Sequence, residues 1–213
     1  KRGNLPTYRI HFNDKTSILT DADHLWAVKT CIQKWRKKPY IIKSTKELKK
    51  KILYKNGNFI WHIPLVKPIH FAKKKHVIHP YILGTILGDG GISQHTLNIS
   101  PYNNKITSEI KRHLPSSLKL SSTKNNFDEF RIIKRKKDSK QNIFIKELKK
   151  LKLMGLKSIQ KFIPKQYLFS SIKDRILLLQ GLMDTDSYQG VKDGHLEYYT
   201  SSKQLSQDVS FLI

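Results

Sequence analysis

Two aspartates end matching glycine-spaced runs, Leu83-Gly84-Thr85-Ile86-Leu87-Gly88-Asp89-Gly90 and Gln180-Gly181-Leu182-Met183-Asp184-Thr185-Asp186-Ser187. In each, a glycine is followed four residues later by another small residue, Gly84 by Gly88 and Gly181 by Thr185. Residues four apart share one face of a helix. Glycine costs about 1 kcal/mol in a helix interior relative to alanine, so its repeated use in so short a helix calls for a packing reason. Small side chains on one face let two helix backbones approach more closely than the usual ~8–10 Å. If the two helices pair in parallel on these faces, Asp89 and Asp186 emerge side by side at one end. Both carboxylates then lie at helix C-termini, where the macrodipole disfavours anions, and next to each other. A cation has to compensate. A hard divalent ion with oxygen ligands fits, because Mg²⁺, or a similar ion such as Mn²⁺, keeps several waters and bridges carboxylates to phosphate oxygens. A pair of such ions can clamp the attacking and leaving oxygens of an in-line phosphodiester displacement. One copy of the pattern alone reads as a helix C-cap; two copies, each followed by a strand and a helix, read as an internal repeat.

The elements that must hold these groups follow from punctuation and periodicity. Pro80 suits the first turn of a helix that Asp89-Gly90-Gly91 stops. A strand is expected over 92–100, a helix over 103–113 with Ile106 and Ile110 one turn apart, a strand over 127–134 and a helix over 142–153. Pro164 closes a short segment, and a helix from Ser171 carries Ile176-Leu177-Leu178-Leu179 to Asp186. A strand at 196–200 and a helix from Ser202 complete the second copy. Upstream, Tyr8, Ile10 and Phe12 alternate, Asn13-Asp14 can turn, and Leu25–Val28 follows, so a small β element is expected. Ser44 with Glu47 forms a capping box for a helix to about Leu53, and Asn56-Gly57-Asn58 turns into a strand Phe59-Ile60-Trp61. Lys67-Pro68 and Lys73–Lys75 read as a linker, dividing the chain into 1–75 and 76–213.

At 213 residues the chain has room for one or two domains. It carries 41 Lys+Arg against 16 Asp+Glu, a formal +25, with 38% hydrophobic residues, enough to fold, so a disordered basic tail is excluded. The single cysteine, Cys31, cannot form an internal disulfide, and neither a signal-peptide pattern nor a long apolar run is present. The expectation is an intracellular protein, in cytoplasm or nucleoid, without a membrane partner. Such a cation excess answers to a polyanion, and nucleic acid leads over an anionic lipid surface. Residues 1–75 hold 19 Lys/Arg and 4 Asp/Glu, the rest 22 and 12. Any one of the basic runs at 49–51, 73–75 and 134–137 reads as solvated surface; together they point to phosphates. Cys31 and the three tryptophans read as core, although Trp35-Arg36-Lys37-Lys38 also mixes an aromatic ring with cations as nucleic-acid contacts do. The nine histidines show no zinc-ligand spacing.

The two aspartate motifs, at 82–90 and 179–187, resemble those of the LAGLIDADG homing endonucleases carried within inteins. Lys161-Phe162-Ile163-Pro164, preceded by Met154-Gly155-Leu156 and Lys157-Ser158, resembles the Lys-x-Ile-Pro block between them, and Tyr199-Thr200-Ser201-Ser202 with Leu205 and Val209 the block after the second. Tyr8–Asp14 and Asp23-His24-Leu25-Trp26 resemble the intein splicing domain around its block B histidine, His24. The resemblance implies an α+β architecture: an αββαββα unit repeated about a pseudo-twofold, with the motif helices at the interface and antiparallel sheets forming a saddle over double-stranded DNA. A partial, small β-rich, Hint-like splicing segment at 1–75 precedes it, and the cation excess of that segment makes it a DNA-binding segment as well. It implies further that Asp89 and Asp186 are catalytic metal ligands, and that Lys161 assists by stabilising phosphate charge or tuning the attacking water. The saddle would enter the major groove, where base edges are fully distinguishable. Gln94, His95, Asn98 and Arg131 are then candidate readers, with Lys134 and Arg135 as further DNA contacts.

The chain departs from the family pattern at Ser187, which stands where the second motif has glycine, and at Asp21, which stands three residues before His24 where threonine is usual. It opens without a Cys or Ser nucleophile and closes without His-Asn, so splicing by this chain alone is not expected. Asp89 to Pro164 spans 75 residues but only 27 follow Asp186, so the second half is expected to be incomplete. The function expected is site-specific DNA cleavage within an intein embedded in a host protein. The rival is a DNA- or RNA-binding module without chemistry, a decayed intein or an RNA-splicing maturase.

Overall fold

A computed structural model describes residues 5–92, 96–101, 103–123, 126–136, 141–190 and 195–213. The chain is α+β, with antiparallel sheets, and divides into two compact units, Lys1–Lys67 and Pro68–Ile213. The division falls before the lysine run at 73–75. Residues after Lys67 are tied into the second unit: the Ile69 carbonyl accepts from the Arg175 guanidinium, and the Phe71 ring lies under that guanidinium and edge-on to Phe169.

In the first unit, β1 (Thr7–His11) and β2 (Ser17–Asp21) form an antiparallel hairpin in which Ile10 faces Ile18. Lys15 takes a positive φ of 68° at its turn, and the Asp14 carboxylate accepts from the Thr16 amide and hydroxyl. β3 (Leu25–Val28) pairs with β4 (Ile41–Ser44) around α1 (Cys31–Trp35), which a Thr30/Gln33 capping box opens. The Ser44/Glu47 box opens α2 (Thr45–Lys49), which ends before Leu53. Phe59–Trp61 is not a strand; Leu53 and Phe59 meet in an isolated bridge, as do Lys29 and His62. Val28 and Ile60 are the buried hydrophobic side chains of this unit among the described residues. That small core overturns two expectations. Cys31 is exposed, because the short α1 buries none of its residues. Trp35 is 80% exposed on the same helix. His24 is exposed too, with its ring edge against Trp26 and its carbonyl accepting from Thr45.

The second unit opens with α3 (Pro80–Leu87), buried at all eight positions, as an all-round apolar helix must be. There follow β5 (Gly90–Ile92), β6 (Leu97–Ile99), α4 (Asn104–His113), β7 (Leu118–Thr123), β8 (Asn126–Lys134) and α5 (Ile143–Lys150). The order α-β-β-α-β-β-α builds one antiparallel sheet with strand order β5-β6-β8-β7. Period-2 alternation sends Ile92, Leu97, Ile99, Leu118 and Ile132 into the core. A row of Gly91, Asn98, Arg131 and Ser121, opposite one another across the four strands, is left on the other face. Gln94 and His95 lie outside the described residues.

A single turn of 3₁₀ helix (Ser158–Gln160) and α6 (Lys165–Leu168) lead to α7 (Ile172–Asp186). The opening pattern then recurs in β9 (Ser187–Gln189), paired antiparallel with β10 (Leu196–Tyr198), and α8 (Lys203–Leu212). Each hairpin begins at the residue after its aspartate, and each ten-residue helix is opened by a polar N-cap, Asn103 and Ser202. Ile106 and Ile110 of α4, and Leu205 and Val209 of α8, are the buried face in each copy.

Candidate active site

The two motif helices meet backbone to backbone. A Cβ added to Gly84 would lie 2.3 Å from the Leu178 carbonyl oxygen and 3.0 Å from the Gly181 Cα. One added to Gly181 would lie 2.2 Å from the Tyr81 carbonyl oxygen and 3.0 Å from the Thr85 amide nitrogen. Contacts rise together along both helices, Gly84 with Leu178 and Leu182, Gly88 with Thr185 and Asp186, so α3 and α7 run parallel. Tyr81 adds a hydroxyl bond to Asp184 at 2.8 Å.

Parallel packing brings both motif ends to one cavity of about 260 Å³, lined by Asp89, Asp186, Lys161, Ser158, Tyr199 and Thr200 among others. Asp186 is the last residue of α7 and partly buried; Asp89 sits exposed in the turn after α3. No described residue donates a hydrogen bond to either carboxylate. Loss of hydration among the cavity walls pushes both carboxyls above the usual range, even though Asp89 keeps solvent contact, and the neighbouring Asp89 carboxylate adds to the rise at Asp186; the Lys161 charge pulls both back.

Lys161 is 4% exposed. Its ammonium donates to the carbonyl oxygens of Ile86 (3.2 Å), Gly88 (2.9 Å) and Gly90 (2.9 Å). An ammonium has three N–H donors, so all are engaged and none is left for a water or a phosphate. Lys161 therefore acts on the cavity through its charge and by fixing the turn that presents Asp89. The lysine is held in turn from α8: the Ser202 hydroxyl donates to the Lys161 carbonyl at 2.6 Å, and the Asp208 carboxylate accepts from the Ile163 amide at 2.8 Å.

The second motif meets the same need differently. Where Lys161 takes the Ile86 carbonyl, the Ser187 hydroxyl donates to the corresponding Met183 carbonyl at 2.6 Å. A Cβ at Gly90 would lie 2.3 Å from the Ile86 carbonyl oxygen, whereas Ser187, with extended backbone at φ −115°, accommodates its side chain. The departure at Ser187 is thus a local exchange of donors.

Among the described residues no cluster of three or more His, Cys, Asp or Glu side chains forms. A cation here would be held by two carboxylates and complete its shell with water and a phosphate oxygen, the coordination Mg²⁺ favours, and two carboxylates without donors among the described residues fit that role. A carboxyl whose pKa is higher folded than unfolded binds its proton more tightly in the fold, so ionising it destabilises the protein. This cost is absent below the ordinary carboxylate range and complete above the raised value. Metal-free Asp186→Asn is therefore expected to melt above wild type at neutral pH, the gap closing as pH falls through the carboxylate range. Mg²⁺ at a hundred times its dissociation constant should add about 2.7 kcal/mol to wild type and less to the variant. Differential scanning calorimetry checks both; a variant melting below wild type in neutral, metal-free buffer would contradict the electrostatic account.

Of the proposed DNA contacts, the fold brings Asn98 and Arg131 opposite each other on the open sheet face. The Asn98 amide donates to Glu129 at 2.6 Å, a residue the sequence did not single out because its partner lies on another strand. Lys134 faces Leu118 across the ladder and so has the core-side parity, away from that row. Arg135 lies past the strand, its Nε donating to the Leu118 carbonyl at 3.1 Å. His24 belongs to the other unit. The sequence also passed over Ser158 as a site residue, although it lines the cavity.

No family model and no curated protein matches the chain.

Proposed function

We propose that the second unit is a site-specific double-stranded DNA endonuclease of the LAGLIDADG type, carried by an intein within a host protein inside the cell, and that Asp89 and Asp186 hold the divalent metal for phosphodiester hydrolysis. The observation that carries this reading is the backbone contact of two parallel helices that delivers two carboxylates, without donors among the described residues, into one cavity beside a buried lysine. Bound there, a divalent ion would stabilise charge on the phosphate and lower the pKa of a water. The chain's own part is to hold the two carboxylates on rigid helix ends, to fix the Asp89 turn through Lys161, and to bind the duplex. Arg131 can read guanine through O6 and N7. The first unit is the splicing segment around His24 in this reading.

The open sheet row, which carries Arg131 and Asn98 whatever the cavity does, equally suits a DNA- or RNA-binding module without chemistry. One experiment separates the two: incubation with Mg²⁺ and the host gene lacking the intein, with cleavage and binding measured in parallel. Cleavage supports the enzyme; tight binding without it supports the module. In either case, affinity should fall about 10³–10⁵-fold between 50 and 200 mM salt if six to ten phosphates are contacted, with a log–log slope near −0.9 per phosphate. A flat salt response by electrophoretic shift would remove nucleic acid as the partner.

A further inference from the structure

The first unit contains a cleft that the cleavage reading does not use. It has a volume of about 730 Å³, and its walls include Phe12, Tyr40, Phe59, Trp61, Lys29 and Lys34. The Lys29 ammonium sits 4.1 Å over the Tyr40 ring, and outside the cleft Lys43 and Lys49 lie over Trp61 and Tyr8. Among the described residues neither Lys29 nor Lys34 has a carboxylate partner. The reason is compositional: the unit holds 16 Lys/Arg and 4 Asp/Glu, and three of those four carboxylates are engaged locally. Asp14 accepts from Thr16, Asp21 from the Asp23 amide, and Glu47 from Ser44 and Lys43. Asp14 also lines the cleft and opposes an anion there, but Lys29 and Lys34 outnumber it, and His11 and His62 add donors.

We propose that this cleft binds single-stranded nucleic acid, with unpaired bases against its aromatic walls and phosphates on Lys29 and Lys34. Aromatic rings offer a platform that any base can use, but only when it is unstacked from its own neighbours, and cations beside the rings follow the backbone. Bases inside a duplex are stacked and paired, so these rings can serve only an unpaired strand. The site is independent of metal-dependent cleavage and should be unaffected in Asp186→Asn.

The test is fluorescence anisotropy of a labelled twelve-residue oligothymidylate with the full chain at low salt, with oligouridylate, a duplex of equal length and polyglutamate as competitors. Lys29→Gln with Lys34→Gln should weaken binding about tenfold and reduce the log–log salt slope by about 1.4, at ~0.7 per phosphate for single strands. Tyr40→Ala should weaken it about tenfold with the slope unchanged, and Tyr40→Phe should restore it. In a Trp35→Phe background, tryptophan emission should be quenched to saturation as Trp61 stacks. A control pair, Lys149→Gln with Lys150→Gln on α5, should leave the quenching unchanged. Oligouridylate competing as well as oligothymidylate means that the cleft takes both nucleic acids. Equal competition by duplex or by polyglutamate would overturn the proposal, as would unchanged affinity in the lysine pair or the absence of quenching.

Discussion

Replacing Asp89 or Asp186 by Asn is expected to lower metal-dependent DNA cleavage about 10³-fold or more, equivalent to roughly 4 kcal/mol of transition-state stabilisation, while DNA binding survives or tightens. Asn keeps the size of the side chain and removes the charge. Among the described residues neither carboxylate has a donor to lose, and both are pushed toward the neutral form by their surroundings, so the fold has no reason to fail. In the proposed DNA complex, removing a negative charge beside the phosphates would also relieve repulsion. Lys161→Met should behave differently. It leaves the Ile86, Gly88 and Gly90 carbonyls without their shared donor, so cleavage and the melting temperature should fall together. Single-turnover cleavage alongside calorimetry separates the cases. Wild-type cleavage by both asparagine variants would remove the pair from the mechanism.

The second large effect concerns the helix contact itself. Gly181→Ala is expected to destabilise the second unit by about 2–3 kcal/mol, lowering its melting temperature by roughly 4–12 °C. The new Cβ meets the Tyr81 carbonyl oxygen at 2.2 Å, and a backbone atom cannot swing aside as a flexible side chain can. The helices must separate, at a cost that exceeds the ~1 kcal/mol alanine gains in helix propensity. Gly84→Ala should cost a similar amount, and the double variant less than the sum, because both methyl groups open the same gap. Gly91→Ala is the control: its Cβ would sit 3.6 Å from the Asn98 Cβ, an ordinary contact. Separation should also move Asp89 from Asp186, so activity should be lost at temperatures where the protein is still folded. A glycine variant as stable as the control would contradict the packing.

The reach of the sequence is clearest where interactions are local. Pro80, Ser171 and Ser202 mark helix starts, and the Ser44/Glu47 capping box forms as its spacing requires. Period-3.6 burial of Ile106 and Ile110 places α4. The repeated glycine spacing foretold a close parallel helix pair because the cost of glycine in a helix demands compensation. Local signals fail where apolar content is low: β7 went unread, since Leu118-Lys119-Leu120 gives way to Ser121-Ser122-Thr123, and that segment becomes a strand by pairing with β8. Phe59-Ile60-Trp61 has the composition of a strand but lacks a neighbouring ladder, and Cys31 and Trp35 find no core on a helix one turn long.

The convergence of the two aspartates was thus present in the linear order of residues, because four-residue periodicity is a local property of a helix. The tasks of Lys161, Ser187 and Glu129 were decided only in three dimensions. Lys161 is more than seventy residues from the carbonyls it clamps, Glu129 is thirty-one from Asn98, and only folding reveals which carbonyls a helix end leaves open. Short-range steric and hydrogen-bonding preferences are written into neighbouring residues, whereas the partner of a buried charge depends on which distant segments the packing of the core brings together.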